Sequence, residues 1–168
     1  MLEWMPSRSS AKGRLVLAAL EAFGRDGYEA VHVGRLAEAA ATTTGPLYHH
    51  FGSKLGLYSF VRDDVERRAV DRMEGALAAL IHDDVAVALV VAFDYAIRAG
   101  FARMLSEPHP DPRPDPVAAA LGEEPLGSML AAAWRAGLAA AADGTDPERV
   151  REALRTLTRP ARVVPVLT

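Results

Sequence analysis

The chain has no cysteine among its 168 residues, which excludes disulfide bridges and thiolate metal sites and gives no sign of an oxidising compartment. Aromatic residues are scarce at 7 % while half of all residues are hydrophobic, with alanine prominent. That balance suits closely packed helices better than a β-sandwich. There is also no excess of positive charge: 19 Lys and Arg face 22 Asp and Glu, for a net charge of −3. The deficit lies in the second half, because residues 1–80 carry ten of each sign and residues 81–168 carry nine cations against twelve anions. The longest apolar run, Val85 to Phe93, is far shorter than the roughly 20 residues a membrane helix needs. The opening MLEWMPSRSSAKGR lacks the apolar centre of a secretory signal. These absences predict a cytoplasmic, all-α protein with no membrane partner.

What is present is helical periodicity. After Ser9 and Ser10, either able to cap, Leu15, Ala18, Ala19, Ala22 and Phe23 fall on one helical face, and Gly27 is the expected stop. A short second helix follows with Val33, Leu36, Ala37 and Ala40 inward. From the cap Ser53 a long helix is expected to about Leu80, with Leu57, Val61, Val65, Ala69, Met73, Leu77 and Leu80 on its inner stripe and Arg62, Asp63, Arg67 and Arg68 on the opposite, solvated face. Asp83 or Asp84 then caps a fifth helix, apolar all round at its start, that runs to near Ser106. Prolines at every second position from Pro108 to Pro116 forbid a helix and predict an extended linker or surface loop. Two more helices are expected: one with Leu126, Leu130, Trp134, Leu138 and Ala141 in a stripe, stopped by Gly144, and one capped by Asp146 with Val150, Leu154 and Leu157 inward.

The most polar stretch, TTTGPLYHHFGSKLGLY from Thr42 to Tyr58, interrupts this regularity. A threonine cap opens a third helix whose free N–H groups and positive dipole end suit a phosphate. With Thr43 as cap, Pro46 removes the third-position donor and leaves the Gly45 N–H open; with Thr44 as cap, Pro46 sits in the first turn. Thr44 and Gly45 are small enough for the helix end to enter a major groove, where a threonine methyl meets a thymine methyl. Tyr48, His49 and His50 supply donors for phosphate oxygens, while Leu47 and Phe51, four apart, face the core. Ser53 and Lys54 begin another helix whose lysine and end amides converge on a second phosphate. Adjacent histidines project about 100° apart on a helix, so His49 and His50 do not form a metal site.

The segment AEAAATTTGPLYHHFGSKLGLY resembles the DNA-binding part of the tetracycline-repressor (TetR) family, whose usual form is close to AEAAGVSxGTLYxHFxSKExL. Leu47, Tyr48, His50, Phe51, Ser53 and Lys54 carry the match, which extends over Arg8 to about Val61. Ala41 and Thr42 depart from it by replacing a Gly-Val at the turn, and Leu55 replaces a common Glu. Gly34 and His32 stand where other members have phosphate-reaching or capping side chains. The resemblance implies a three-helix helix-turn-helix head, residues 1–52, joined by a long helix to a helical ligand-binding and dimerisation domain, residues 53–168. It implies a homodimeric, ligand-responsive regulator, a repressor on a palindromic double-stranded DNA operator, with no enzymatic activity and no cofactor. The DNA-facing residues would be Thr42, Thr43, Thr44, Gly45, Pro46, Tyr48, His49, His50 and Lys54.

In the second half, the resemblance places dimerisation in the last helix pair, where Leu130, Trp134, Leu138, Leu154 and Leu157 form apolar stripes that either meet a partner or close the monomer's own core. A pocket for a small apolar or amphipathic ligand is expected near Phe93, Asp94, Tyr95, Arg98, Phe101 and Met104. Asp94 and Arg98, four apart, form either a helix-surface ion pair or part of that site. No nucleophile–base pair or phosphate loop supports an enzyme. The alternative to a regulator is a helical small-molecule-binding or interaction module with a weakened DNA-binding head.

Overall fold

The computed structural model describes residues 7–79, 85–110 and 112–158, and among them it holds nine helices and no strand. Helix α1 (Ala11–Ala30) begins at Ser10, whose hydroxyl accepts the Gly13 N–H at 3.0 Å. Gly27 does break the helical dihedrals, at φ 77° and ψ −179°, but a further turn carries the element to Ala30. That backbone region is essentially reserved for glycine. Here glycine also makes room, because a Cβ at Gly27 would stand 2.2 Å from a carboxylate oxygen of Glu107.

Helices α2 (Val33–Ala39) and α3 (Thr44–Phe51) complete the head, with Leu36 and Leu47 buried against α1 and the next helix. The long α4 (Lys54–Ala79) starts after Ser53, whose hydroxyl accepts the Gly56 N–H at 2.9 Å. It is covered on several sides, by α1 and α3 and by the later elements α5 (Val85–Arg98), α6 (Ala102–Ser106) and α7 (Pro116–Leu121). One buried stripe is therefore not enough for it. Arg62, expected on the solvated face, is fully buried, and Asp64 and Glu66 are nearly so.

The fifth helix is shorter than expected. It ends at Arg98, the chain turns through Gly100 at φ 75°, and the residues down to Ser106 form the separate α6. The expected cap at Asp83 or Asp84 and the end of α4 near Leu80 lie outside the described residues. The alternating prolines run without helix until Pro116, which is the first residue of α7. The cap of α7 is Asp115, which accepts the Val117 N–H at 2.9 Å. Helix α8 (Leu126–Ala142) and helix α9 (Pro147–Leu157, capped by Asp146) follow as expected.

One continuous apolar core runs from Leu15 of α1 to Leu154 of α9. The position 52/53 falls at the turn between α3 and α4, and α1 packs across it on both α4 and α6. The last stripe also belongs to this core: Trp134 and Leu138 are fully buried and Leu154 is 2 % exposed within the single chain, whereas Leu157 is 64 % exposed. Leu126 is likewise exposed, so it drops out of the inward stripe.

Candidate nucleic-acid interface

The reading helix α3 begins at Thr44, with Thr43 in the capping position. The Thr43 hydroxyl makes no capping bond and Pro46 has no N–H, so the first turn keeps the Thr44 and Gly45 amides for an outside acceptor. Thr43, Thr44, Gly45, Tyr48, His49 and His50 are exposed; Thr42 and Pro46 are half-buried. Tyr48 is 53 % exposed even though Leu47 beside it is wholly buried. The helix is thus anchored by Leu47 and by the half-buried Phe51, and it presents the polar residues of the motif to solvent. The His49 and His50 rings lie edge-on with centroids 4.9 Å apart.

The turn before α3 forms without glycine. Ala41 takes a positive φ of 47°, a conformation costing a non-glycine residue about 1–2 kcal/mol. Arg14 of α1 braces it, donating from Nε to the Ala40 carbonyl at 2.8 Å and from Nη2 to the Ala41 carbonyl at 3.5 Å. The Thr42 N–H is bonded to the Ala37 carbonyl at 2.9 Å. The junction with α4 is as tight, since a Cβ at Gly56 would stand 2.0 Å from the Phe51 carbonyl oxygen.

Lys54 is the first residue of α4. Its ammonium lies 4.1 Å from the centroid of the Tyr28 ring, a cation–π placement that holds the charge at the α1–α4 junction. The sequence reading missed Arg14 and Lys12, whose ammonium lies 5.7 Å from the Phe51 ring and 5.4 Å from the Phe60 ring. A signal for both existed: two cations in the first turns of a helix oppose its dipole, which points to partners outside that helix.

Behind the head, Glu107 ties the elements together. Its carboxylate accepts the Tyr28 N–H at 3.2 Å and the Tyr58 hydroxyl at 2.9 Å. Buried Arg62 donates to the Tyr58 oxygen at 2.9 Å and to the Met104 and Glu107 carbonyls, and it lies 3.7 Å from Glu66. Burial pushes the Tyr58 phenol above its ordinary range; Arg62 opposes this and the Glu107 carboxylate reinforces it.

The expected ligand residues Phe93, Asp94, Tyr95, Arg98, Phe101 and Met104 do not line the cavities between α1 and α2 or beside the proline segment. Phe93 and Met104 are wholly buried core residues, and Arg98 is exposed. Asp94 is paired not with Arg98 but with Arg151 of α9, at 2.7 Å. Tyr95 and Phe101 pack on each other at 6.1 Å, with the Arg72 guanidinium 4.0 Å from the Tyr95 ring. Three cavities lie elsewhere: a polar one of about 710 Å³ between α1 and α2, and two of about 540 and 340 Å³ beside the proline segment.

Residues 15–59 match the family model described as "Bacterial regulatory proteins, tetR family". Over 62 residues, 36 % of this chain, the sequence is 34 % identical to the HTH-type transcriptional repressor AcnR of Corynebacterium glutamicum, covering 33 % of that protein. Over 73 residues, 44 % of this chain, it is 36 % identical to the HTH-type transcriptional activator FasR of Mycolicibacterium smegmatis, covering 32 % of it. The matches thus span about a third of the length of these curated relatives. A crystal structure described as that of a tetR family transcription regulator from Shewanella sp. PV-4 superposes on 89 % of this chain and 96 % of its own, with a TM-score of 0.65 at 20 % identity, a likeness of fold.

Fold and site together define a helix-turn-helix protein with a helical second half. Its head, residues 15–59, matches the tetR family of bacterial regulatory proteins, and the chain shares its fold with a solved structure described as such a regulator. That family consists of DNA-binding regulators rather than enzymes. Among the described residues no helix is long and apolar enough to cross a membrane.

Proposed function

We propose that the chain is a cytoplasmic, ligand-responsive transcriptional repressor that binds a palindromic operator as a homodimer. The observation that carries the reading is the exposed, uncapped start of α3, with the Thr44 and Gly45 amides open beside exposed Tyr48, His49 and His50. In this reading Thr44 and Gly45 approach base edges. The α3 amides, Tyr48, the histidines and Lys54 hold phosphates and set the register. The head carries little net charge, so affinity comes from two heads one helical turn apart, about 34 Å on B-DNA.

Dimerisation is assigned to the outer faces of α8 and α9. Leu126, Met129 and Leu157 are 55 %, 66 % and 64 % exposed there, and Ala132 and Ala136 continue the α8 face with small exposed side chains. Such a face permits close helix–helix approach across a two-fold axis. Of the two curated relatives one is named a repressor and the other an activator. Repression is proposed because operator occupancy alone suffices to block transcription, and ligand would release the DNA by favouring a dimer whose heads no longer match successive grooves.

The test is fluorescence anisotropy with DNA from upstream of the chain's own gene, against random duplex, over a range of salt. Affinity should fall steeply with salt. Lys54→Ala should weaken operator and random DNA alike by about tenfold, whereas Thr44→Ala should mainly reduce the preference for operator by about tenfold, roughly 1.4 kcal/mol. Salt-independent binding, or equal loss of preference in both variants, overturns the assignment of roles.

A further inference from the structure

Arg14 of α1 spends its charge on main chain rather than on a carboxylate. Its Nε donates to the Ala40 carbonyl at 2.8 Å and its Nη1 to the Ser9 carbonyl at 2.6 Å, while Nη2 stands 3.5 Å from the Ala41 carbonyl. Among the described residues no Asp or Glu pairs with it. Ala40 and Ala41 follow the last residue of α2, where a helix leaves carbonyls without intrahelical partners and where positive charge is favoured. One flat guanidinium thus joins the entry to α1 with the turn between α2 and α3.

That turn, residues 40–43, runs from α2 to α3, and Ala41 takes its positive φ of 47° there. The start of α3 beyond it has little hold of its own. Thr43 makes no capping bond, and Thr44 and Gly45 are exposed. Outside the helix's own backbone, a Cβ at Gly45 would meet within 4 Å only the Thr43 hydroxyl oxygen, at 3.8 Å. The first wholly buried side chain of α3 is Leu47. The first turn of α3 therefore takes its place from residues 40–43, which are held by Arg14 and by the Thr42 N–H bond to the Ala37 carbonyl.

We propose that Arg14 is a positioning residue for sequence reading: without touching DNA, its guanidinium fixes the turn so that Thr44 and Gly45 meet base edges, and so it sets operator preference rather than affinity for DNA in general. The inference rests on the regulator reading of α3. Tyr48, His49, His50 and Lys54 reach phosphates through long side chains that adjust to a small tilt of the helix start, whereas Thr44 and Gly45 have no such reach. A tilt is then felt first in discrimination. Lysine does not replace arginine here, because a single ammonium cannot span carbonyls that three guanidinium nitrogens meet from one plane.

The test is the ratio of affinities for DNA from upstream of the chain's own gene and for random duplex, by fluorescence anisotropy of the full chain well below its melting temperature. Partial unfolding scales both dissociation constants by the same folded fraction and leaves their ratio unmoved, so a merely structural role does not change it. Arg14→Lys and Arg14→Gln should each lose about tenfold of the operator preference, with random-duplex affinity within about twofold of native. If Arg14 instead holds a phosphate, Arg14→Gln weakens both duplexes alike and lowers the salt slope by about one, while Arg14→Lys stays near native. That result overturns the proposal, as does an unchanged ratio in both variants or the unfolding of both. Backbone amide relaxation by NMR separates this inference from the reading beneath it. A native chain with no operator preference, in which Arg14→Lys still loosens Thr42 to Gly45, keeps the brace and removes the regulator; a preference that survives both variants keeps the regulator and removes the role of Arg14.

Discussion

Ala41 is the residue at which this helix-turn-helix departs most from easy backbone geometry, with φ at 47° and two carbonyls beside it braced by Arg14. Glycine there removes the steric cost of the left-handed turn, and part of the gain is offset by its greater freedom in the unfolded chain. Ala41→Gly should therefore raise stability by about 0.5–1 kcal/mol and Tm by about 2 °C, measured by thermal melting; a lower Tm would show that the turn is not strained. The missing glycine was legible in the sequence, because Ala41 stands where the resembling family has Gly. The brace was not, since Arg14 reaches across 26 residues to Ala40. Arg62 was misplaced for a related reason: a single apolar stripe assigns one face of a helix to solvent, and only the packing of α6 and α7 shows that α4 has a second buried face.

At the scale of elements, caps and stops were the best guides. Ser10, Ser53 and Asp146 all accept the amides their positions predict. The break after Arg98 was missed because the apolar pattern of Phe93 and Ile97 resumes with Phe101 and Met104 directly after Gly100, and α7 was missed because its entry, Asp115 and Pro116, looks like the end of a proline run. The junction of α1, α4 and α6 makes its own prediction through Tyr58. Its phenol is held protonated by burial beside Glu107, and a folded-state pKa raised above the unfolded value leaves stability intact below the ordinary tyrosine range. Stability is then lost as pH climbs from about 10 through the folded value. Urea midpoints of the native chain should fall above about pH 10 more steeply than those of Tyr58→Phe, whose stability at neutral pH should be lower by about 1–2 kcal/mol for the lost hydroxyl bonds. Parallel pH profiles for the two would show that the Tyr58 phenol is not the group responsible.

For the whole molecule, the apolar residues of α8 and α9 divide into two sets with opposite expected behaviour. Leu138 is fully buried within one chain, so Leu138→Glu should destabilise by roughly 4 kcal/mol or more and collapse the helical spectrum. Met129 is 66 % exposed, so Met129→Glu should leave the spectrum unchanged and shift sedimentation from dimer to monomer. A native chain that sediments as a monomer at micromolar concentration removes the dimer assignment. The seam behind the head has a different consequence. Gly27 leaves room for the Glu107 carboxylate that binds the neighbouring Tyr28 amide, so the two halves are fitted to each other as lock and key within one chain. Chimaeras that graft this head onto another regulator's body, a common route to new sensors, would need to transplant Glu107 and its proline segment with it; a cut at the turn before α4 would leave the graft without its receptor.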